Sequence, residues 1–210
     1  MGGDPGSSAE HTLMSMKHWL LIGLVVFGAW NFWSSRSIER APGVVAINEP
    51  QQSGPLSNPP RFSKKSYTLT ALARFSLQPR VLGTERYHFD READLAPVDL
   101  ALGWGPMSDS GVLSKISIDQ GGRYYNWHVR EFPIPRREIE INSANMHLIP
   151  ATSAVEAQIK NARVGHIVRL SGYLVEVLGD DGWRWVSSLT REDTGAGARE
   201  LIWVEQIELL

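Results

Sequence analysis

The stretch VGHIVRLSGYLVEVLGDDGWRWVSSLT, residues 164–190, decides how this chain folds. Residues 166–178, rich in Ile, Val, Leu and Tyr, read as one long strand. Gly-Asp-Asp-Gly at 179–182 supplies the small polar residues of a hairpin turn. Residues 183–189 read as the returning strand, and Gly172 in mid-strand marks a bulge or sharp bend. After the loop REDTGAGARE, LIWVEQIEL closes as a further strand. A long bent strand, a hairpin and a return strand predict a small curled barrel, SH3-like or OB-like.

Working outward, apolar periodicity starts at Tyr67. YTLTALARFSL alternates, with Tyr67, Leu69, Ala71 and Ala73 on one face, and RVLGTERYHF follows as a second strand. DREADLAP reads as a short polar turn. VDLALGWGPMSD is an apolar run ending in a tight turn, where Trp104 plugs the domain and Asp109 or Ser108 caps a short helix. ISID and RYYNWHV form a hairpin around Gln120, Gly121 and Gly122. PIPRREIEIN reads as extended, with Ile139 and Ile141 on one face and Glu138 and Glu140 on the other. SANMHLIP ends at Pro150. Thr152 or Ser153 then caps a helix over VEAQIKNA, and Glu156 completes a capping box with Ser153.

Towards the amino terminus stands WLLIGLVVFGAWNFW, residues 19–33, with no Asp, Glu, Lys or Arg. Fifteen helical residues span roughly 22 Å, and the five preceding residues bring this near the roughly 30 Å of a bilayer core. Trp19 lies near one end and Trp30 and Trp33 near the other, as an aromatic belt places them. No clean small-residue cleavage site follows. The domain plan is a leader over 1–13, a membrane anchor over 14–33, a Pro-rich linker over 34–65 and a β-rich domain over 66–210. The fold class is α+β: a single N-terminal transmembrane helix plus the β-rich domain. Arg36 and Arg40 after the run tilt the charge count towards a cytoplasmic domain. A short basic start directly before an apolar run favours export. The expectation is a single-pass inner-membrane protein with its C-terminal domain in the periplasm.

The chain has 210 residues, net charge −2 and no cysteine, so disulfides, thiolate metal sites and thiol catalysis are excluded. Near-neutral charge argues against a nucleic-acid partner. The expected partners are the membrane, through 14–33, and an envelope protein.

PVDLALGWGPMSD, SANMHLIPA and WRWVSSLTREDTG, with the apolar run and the Pro-rich stretch, resemble a group of uncharacterised small proteins of Gram-negative bacteria, membrane-anchored or exported. The resemblance covers most of residues 16–210. It implies one N-terminal membrane segment and a β-rich outer domain, and brings no activity, cofactor or catalytic residue.

Candidate chemistry is sparse. Alternation in SANMHLIP puts Met146 and Leu148 on one face and Asn145 and His147 on the other. Ser187, Ser188, Thr190, Arg191 and Asp193 crowd a loop leaving a strand. Together these seven polar residues are the expected interaction surface. A hydrolase would use His147, Ser187 or Ser188, and Asp193, but the strained G-x-S-x-G turn is absent. Asp-Thr-Gly at 193–195 also occurs in aspartic proteases, which need two carboxylates. Here Asp193 follows polar residues, and a Gly-rich loop is the simpler reading. Trp183 and Trp185 share a strand face and could stack bases or sugars in an OB-like binder, or fill the core. The histidines are scattered without metal-ligand spacing, and no metal or other cofactor is expected. The leading expectation is a membrane-tethered, non-enzymatic binding or assembly domain.

Overall fold

The structure is a computed structural model that describes residues 16–34, 36–190 and 200–210. It divides into two units, Met1–Arg36 and Ser37–Leu210. Among its described residues the first contains one helix, α1, Met16–Ser34. Its large side chains from Trp19 to Phe27 are exposed on every side. Among the described residues no helix is long and apolar enough to cross a membrane.

The second unit is built on a nine-stranded sheet. Its strands are β1 (Gln51–Ser53), β2 (Arg61–Lys64), β3 (Tyr67–Leu77), β4 (Arg80–Arg86), β5 (Val98–Gly103), β8 (Ser143–Pro150), β9 (Val168–Gly179), β10 (Arg184–Val186) and β11 (Glu200–Leu209). The path runs β1-β3-β9-β11-β8-β5-β4, with β2 beside β3 and β10 beside β9. Among the described residues only the β11–β8 pair is parallel. A separate hairpin, β6 (Ile116–Gly121) and β7 (Tyr124–Val129), packs nearby. The short helices are α2 (Ser110–Leu113), α3 (Arg136–Ile141) and α4 (Ser153–Asn161).

Strands form at 67, 80, 168 and 200 where the sequence predicted them, and the apolar run at 98 and SANMHLIP at 143 are strands as well. The small C-terminal barrel does not form. β9 has β3 along one edge and β11 along the other, so the C-terminal strands are the centre of a larger open sheet. That sheet curls. The start of β4 returns to the segment leading into β9, where Val81 N–H donates to His166 O at 2.8 Å and Gly165 N–H to Val81 O at 2.9 Å.

Bulges direct the curl. Register shifts fall at Leu72, at Leu82 and at Glu205. Gly172 lies opposite the last, and a Cβ there would sit 1.9 Å from Trp203 O. The bend expected at Gly172 is therefore a bulge in its partner strand, which only glycine lets approach so closely. The concave face holds Phe75, Val81, Leu100, Leu148, Leu174 and Ile202, closed by Ile159 and Ala162 at the end of α4. On the other face Leu69, Leu95, Val175, Trp185 and Trp203 form a second cluster. Under the β6–β7 hairpin, Leu82, Ala101, Met107, Ile116 and Ile139 form a third. Trp104 is buried in the first.

Three local expectations need correcting. The stretch 34–65 is not a free linker. β1 and β2 lie within it, and its start is bound to the domain, Ile38 N–H donating to Val164 O at 2.8 Å. Prolines forbid helix there but allow extended edge strands. Residues 136–141 are helical rather than extended, starting after Pro135 and burying Ile139. The cap of α4 is Thr152, whose Oγ1 accepts from Val155 N–H at 3.2 Å. Glu156 pairs with Lys160 instead of closing a capping box.

Candidate functional site

β5 and β8 pair antiparallel, with Asp99 opposite His147 and Ala101 opposite Asn145. Alternation turns Val98, Leu100, Met146 and Leu148 into the concave core. It turns Asp99, Asn145 and His147 to the other face. Asp99 has no solvent exposure and His147 1%. His147 Nδ1 lies 2.8 Å from Asp99 Oδ2, but the ring nitrogen is not aligned as a hydrogen-bond donor. The His147 ring packs on Trp185, centroids 5.1 Å apart.

The charge of Asp99 is met by Arg123. Arg123 Nη1 donates to Asp99 Oδ1 at 2.9 Å and to Ala96 O at 2.8 Å. Its Nη2 donates to Asp90 Oδ1 at 2.7 Å. The guanidinium also sits 3.7 Å over the Tyr87 ring, and burial pushes the Tyr87 hydroxyl up to about 12. The turn of the β6–β7 hairpin places Arg123 there. Gly122 and Arg123 have φ of 58° and 68°, the left-handed pair of a two-residue hairpin turn. A non-glycine residue is strained in that conformation. Here its backbone is bonded on both sides: Tyr87 Oη accepts from Arg123 N–H at 2.9 Å, and Asn145 Nδ2 donates to Arg123 O at 3.2 Å. Gln120 Nε2 donates to Asn145 Oδ1 at 2.6 Å.

This cluster ties the hairpin, the 87–96 turn and the β5–β8 ladder together. With Asp99 and His147 buried, it is arranged to hold elements in place. The sequence reading found Asn145 and His147 and their shared face. It missed Asp99, Arg123, Asp90, Gln120 and Tyr87. Asp99 was signalled by being the one acid inside the apolar VDLALG. Arg123 carried no such signal.

The structure brings part of the 187–194 loop towards His147. Leu201 is the register partner of His147, and Ser187 Oγ accepts from Leu201 N–H at 3.0 Å. Ser187 also donates to Ser188 O at 2.9 Å, and Ser188 Oγ donates to Thr190 O at 3.0 Å. Both hydroxyls thus serve backbone groups, and no hydrogen bond links either to His147 among the described contacts. Thr190 is exposed. Arg191 and Asp193 lie outside the described residues. Trp185 is 9% exposed and belongs to the core. Trp183 is half-buried, edge-on to Tyr67, with the Arg91 guanidinium 4.6 Å over its ring. Among the described residues no group of three His, Asp or Glu is placed to hold a metal.

Compared with protein-family models, with curated proteins and with solved structures, the chain has no match in any of the three.

Proposed function

We propose that this chain is a membrane-tethered binding or assembly domain that acts outside the cytoplasm and performs no chemistry of its own. The observation that carries the reading is α1. Trp19, Leu20, Leu21, Leu24, Val25, Val26 and Phe27 are each more than 60% exposed. A helix that is apolar all round belongs in a protein core or in lipid. The described helix alone falls short of a membrane span; in the sequence the uncharged run 19–33 and the five residues before it make about 20 residues, the length a bilayer core requires. Further support comes from the polar cluster around Asp99, whose charges are met from within. The acting surface is the loop leaving β10, where Thr190 is exposed and Arg191 and Asp193 follow in sequence.

The test has two parts. Alkaline phosphatase fused after Leu210 is active in a Gram-negative host if the domain is exported. Activity only from a cytoplasmic reporter at that site overturns the location. Crosslinking in intact cells, with wild type against Arg191→Ala, then tests the surface. Loss of a specific crosslinked partner with unchanged melting supports it, and unfolding of the variant overturns it.

A further inference from the structure

We infer that a groove between β1 and β2 takes an extended, carboxylate-rich segment of a partner protein. The inference rests on the binding reading above and names the partner's chemistry; it does not depend on where the domain lies. The groove arises from a break in one sheet edge. β1 pairs with residues 74–76 of β3, and β2 pairs with 67–70. Between them β3 bulges at Leu72. Residues 54–60 leave the ladder there and return where Pro60 O accepts from Ala71 N–H at 3.0 Å. The space left, about 720 Å³, falls within the range of ligand clefts. Its floor is Tyr173, only 6% exposed. Phe62 packs on Tyr173, centroids 5.6 Å apart, and stacks on Trp203 at 4.7 Å, which fixes the floor. Asn58, Pro59 and Pro60 form one wall.

The ground for an acidic occupant is the charge of the rim. Arg61 comes from β2 and Arg74 from β3, and both are exposed. The Arg74 guanidinium sits 4.8 Å over the Tyr173 ring, its N–H donors unused. Neither arginine makes a hydrogen bond or an ion pair with the described residues. Among those residues no Asp or Glu lines the groove. Across the ladder from Arg61, through Thr70, stands Glu176, which is paired with Arg184. Glu205 and Glu208 are on β11, two strands from β3, and Glu208 is paired with Arg169. Guanidinium forks suit carboxylates. Two of them on different strands are met together only by a ligand with more than one carboxylate. Pro59 and Pro60 have no N–H to offer a ladder, so recognition falls to side chains. The groove also adjoins the loop proposed above as the acting surface. Ser53 is the register partner of Arg74, and the neighbouring Gln52 donates from Nε2 to Leu189 O at 3.0 Å. That continuity favours a polypeptide over a small polyanion.

The probe is a fluorescein-labelled hexaglutamate peptide, with hexaglutamine as its neutral counterpart. Binding to the full chain in nonionic detergent is read by fluorescence anisotropy at about 0.1 M salt, where long-range attraction is screened. The expected result is saturable binding of hexaglutamate and none of hexaglutamine. Arg61→Gln and Arg74→Gln should each weaken it about tenfold, the loss of one charged hydrogen-bonding partner, with melting unchanged. Arg169→Gln makes the same change of charge on the same sheet at a residue already held by Glu208, and should leave binding unaltered. Should Arg74→Gln melt early, Arg61→Gln, which breaks no hydrogen bond or ion pair, carries the comparison. Absence of hexaglutamate binding, equal binding of the two peptides, or equal weakening by all three substitutions overturns the groove as the site. Displacement by inorganic phosphate as effective as by unlabelled hexaglutamate overturns the peptide as its occupant. A partner still crosslinked in cells through the loop, with no hexaglutamate bound, overturns the acidic segment and leaves the binding reading standing. Loss of both overturns the binding reading as well.

Discussion

Replacing Arg123 by glycine sets two effects against each other. Arg123 has φ of 68°, and relieving that strain gains about 1 kcal/mol. The same substitution removes the guanidinium that meets Asp99, whose side chain has 0% exposure. Leaving a buried charge without its partner costs about 3–5 kcal/mol. The difference is a net destabilisation of about 2–4 kcal/mol. With a urea m-value of about 2 kcal/mol/M, the midpoint falls by about 1–2 M. The assay is urea unfolding of residues 37–210, which carry the sheet and all three apolar clusters. Asp99→Asn supplies the control, because it removes the charge that the arginine serves. In that background Arg123→Gly should cost less, by about 0.5–3 kcal/mol of coupling between neighbours. A stabilised Arg123→Gly, or an equal cost in both backgrounds, refutes the argument that neutralising Asp99 is what holds a strained arginine in the turn.

The other expectations concern packing and pH. Gly172→Ala drives a Cβ to 1.9 Å from Trp203 O, so β9 and β11 must separate locally; hydrogen exchange of the β11 amides should speed up, and unchanged protection counts against the close approach. Leu174→Ala empties a fully buried site and should lower stability by about 2–5 kcal/mol, read from the urea midpoint. Hydrogen bonding from Arg91, then from the Trp183 N–H, draws the Asp181 carboxyl down to about 2, from 3.8. A carboxyl depressed in the folded state stabilises above its unfolded value, and that gain disappears as pH falls through the folded value. Asp181→Asn should therefore melt at a lower temperature than wild type near neutral pH, and the gap should close between about pH 4 and pH 2. A gap constant over that range rules out the ion pair as its source.

The parts of this fold that were legible in the sequence are those set by local periodicity. SANMHLIP placed His147 and Asn145 opposite Met146 and Leu148, and the strand at 67–77 followed its alternation. Where two periods compete over a few residues, the reading failed. REIEI alternates as a strand does, yet six residues after Pro135 close as helix because burying Ile139 suffices. The strands at 51–53 and 61–64 were hidden because the prolines around them excluded helix without specifying extended pairing. The polar cluster was half visible. Asp99 and His147 meet through a strand register, whereas Arg123 meets Asp99 only because the β6–β7 hairpin folds over β5 and β8, a tertiary event with no local mark.

The barrel expectation failed for a subtler reason. In β3 the buried positions run 67, 69, 71, 73, 75 and 77 without a break, which reads as one face of one strand. Register shows otherwise. Ala71 pairs with Val175 of the outer cluster, and Ala73 pairs with Leu174 of the concave core. The bulge at Leu72 absorbs one residue and changes the face, while the count of two continues undisturbed. At Glu205 in β11 the bulge shows its other effect: the period of two breaks and the face is kept, Ile202 and Val204 facing the concave core before the bulge and Ile207 and Leu209 packing against the same core after it. A sheet whose strands change face in this way needs apolar cover on both sides. Here α4 closes one side and the hairpin, β10 and the tryptophans close the other. A small self-contained barrel buries one face only. The unbroken period of two was thus real, and it belonged to two cores rather than one.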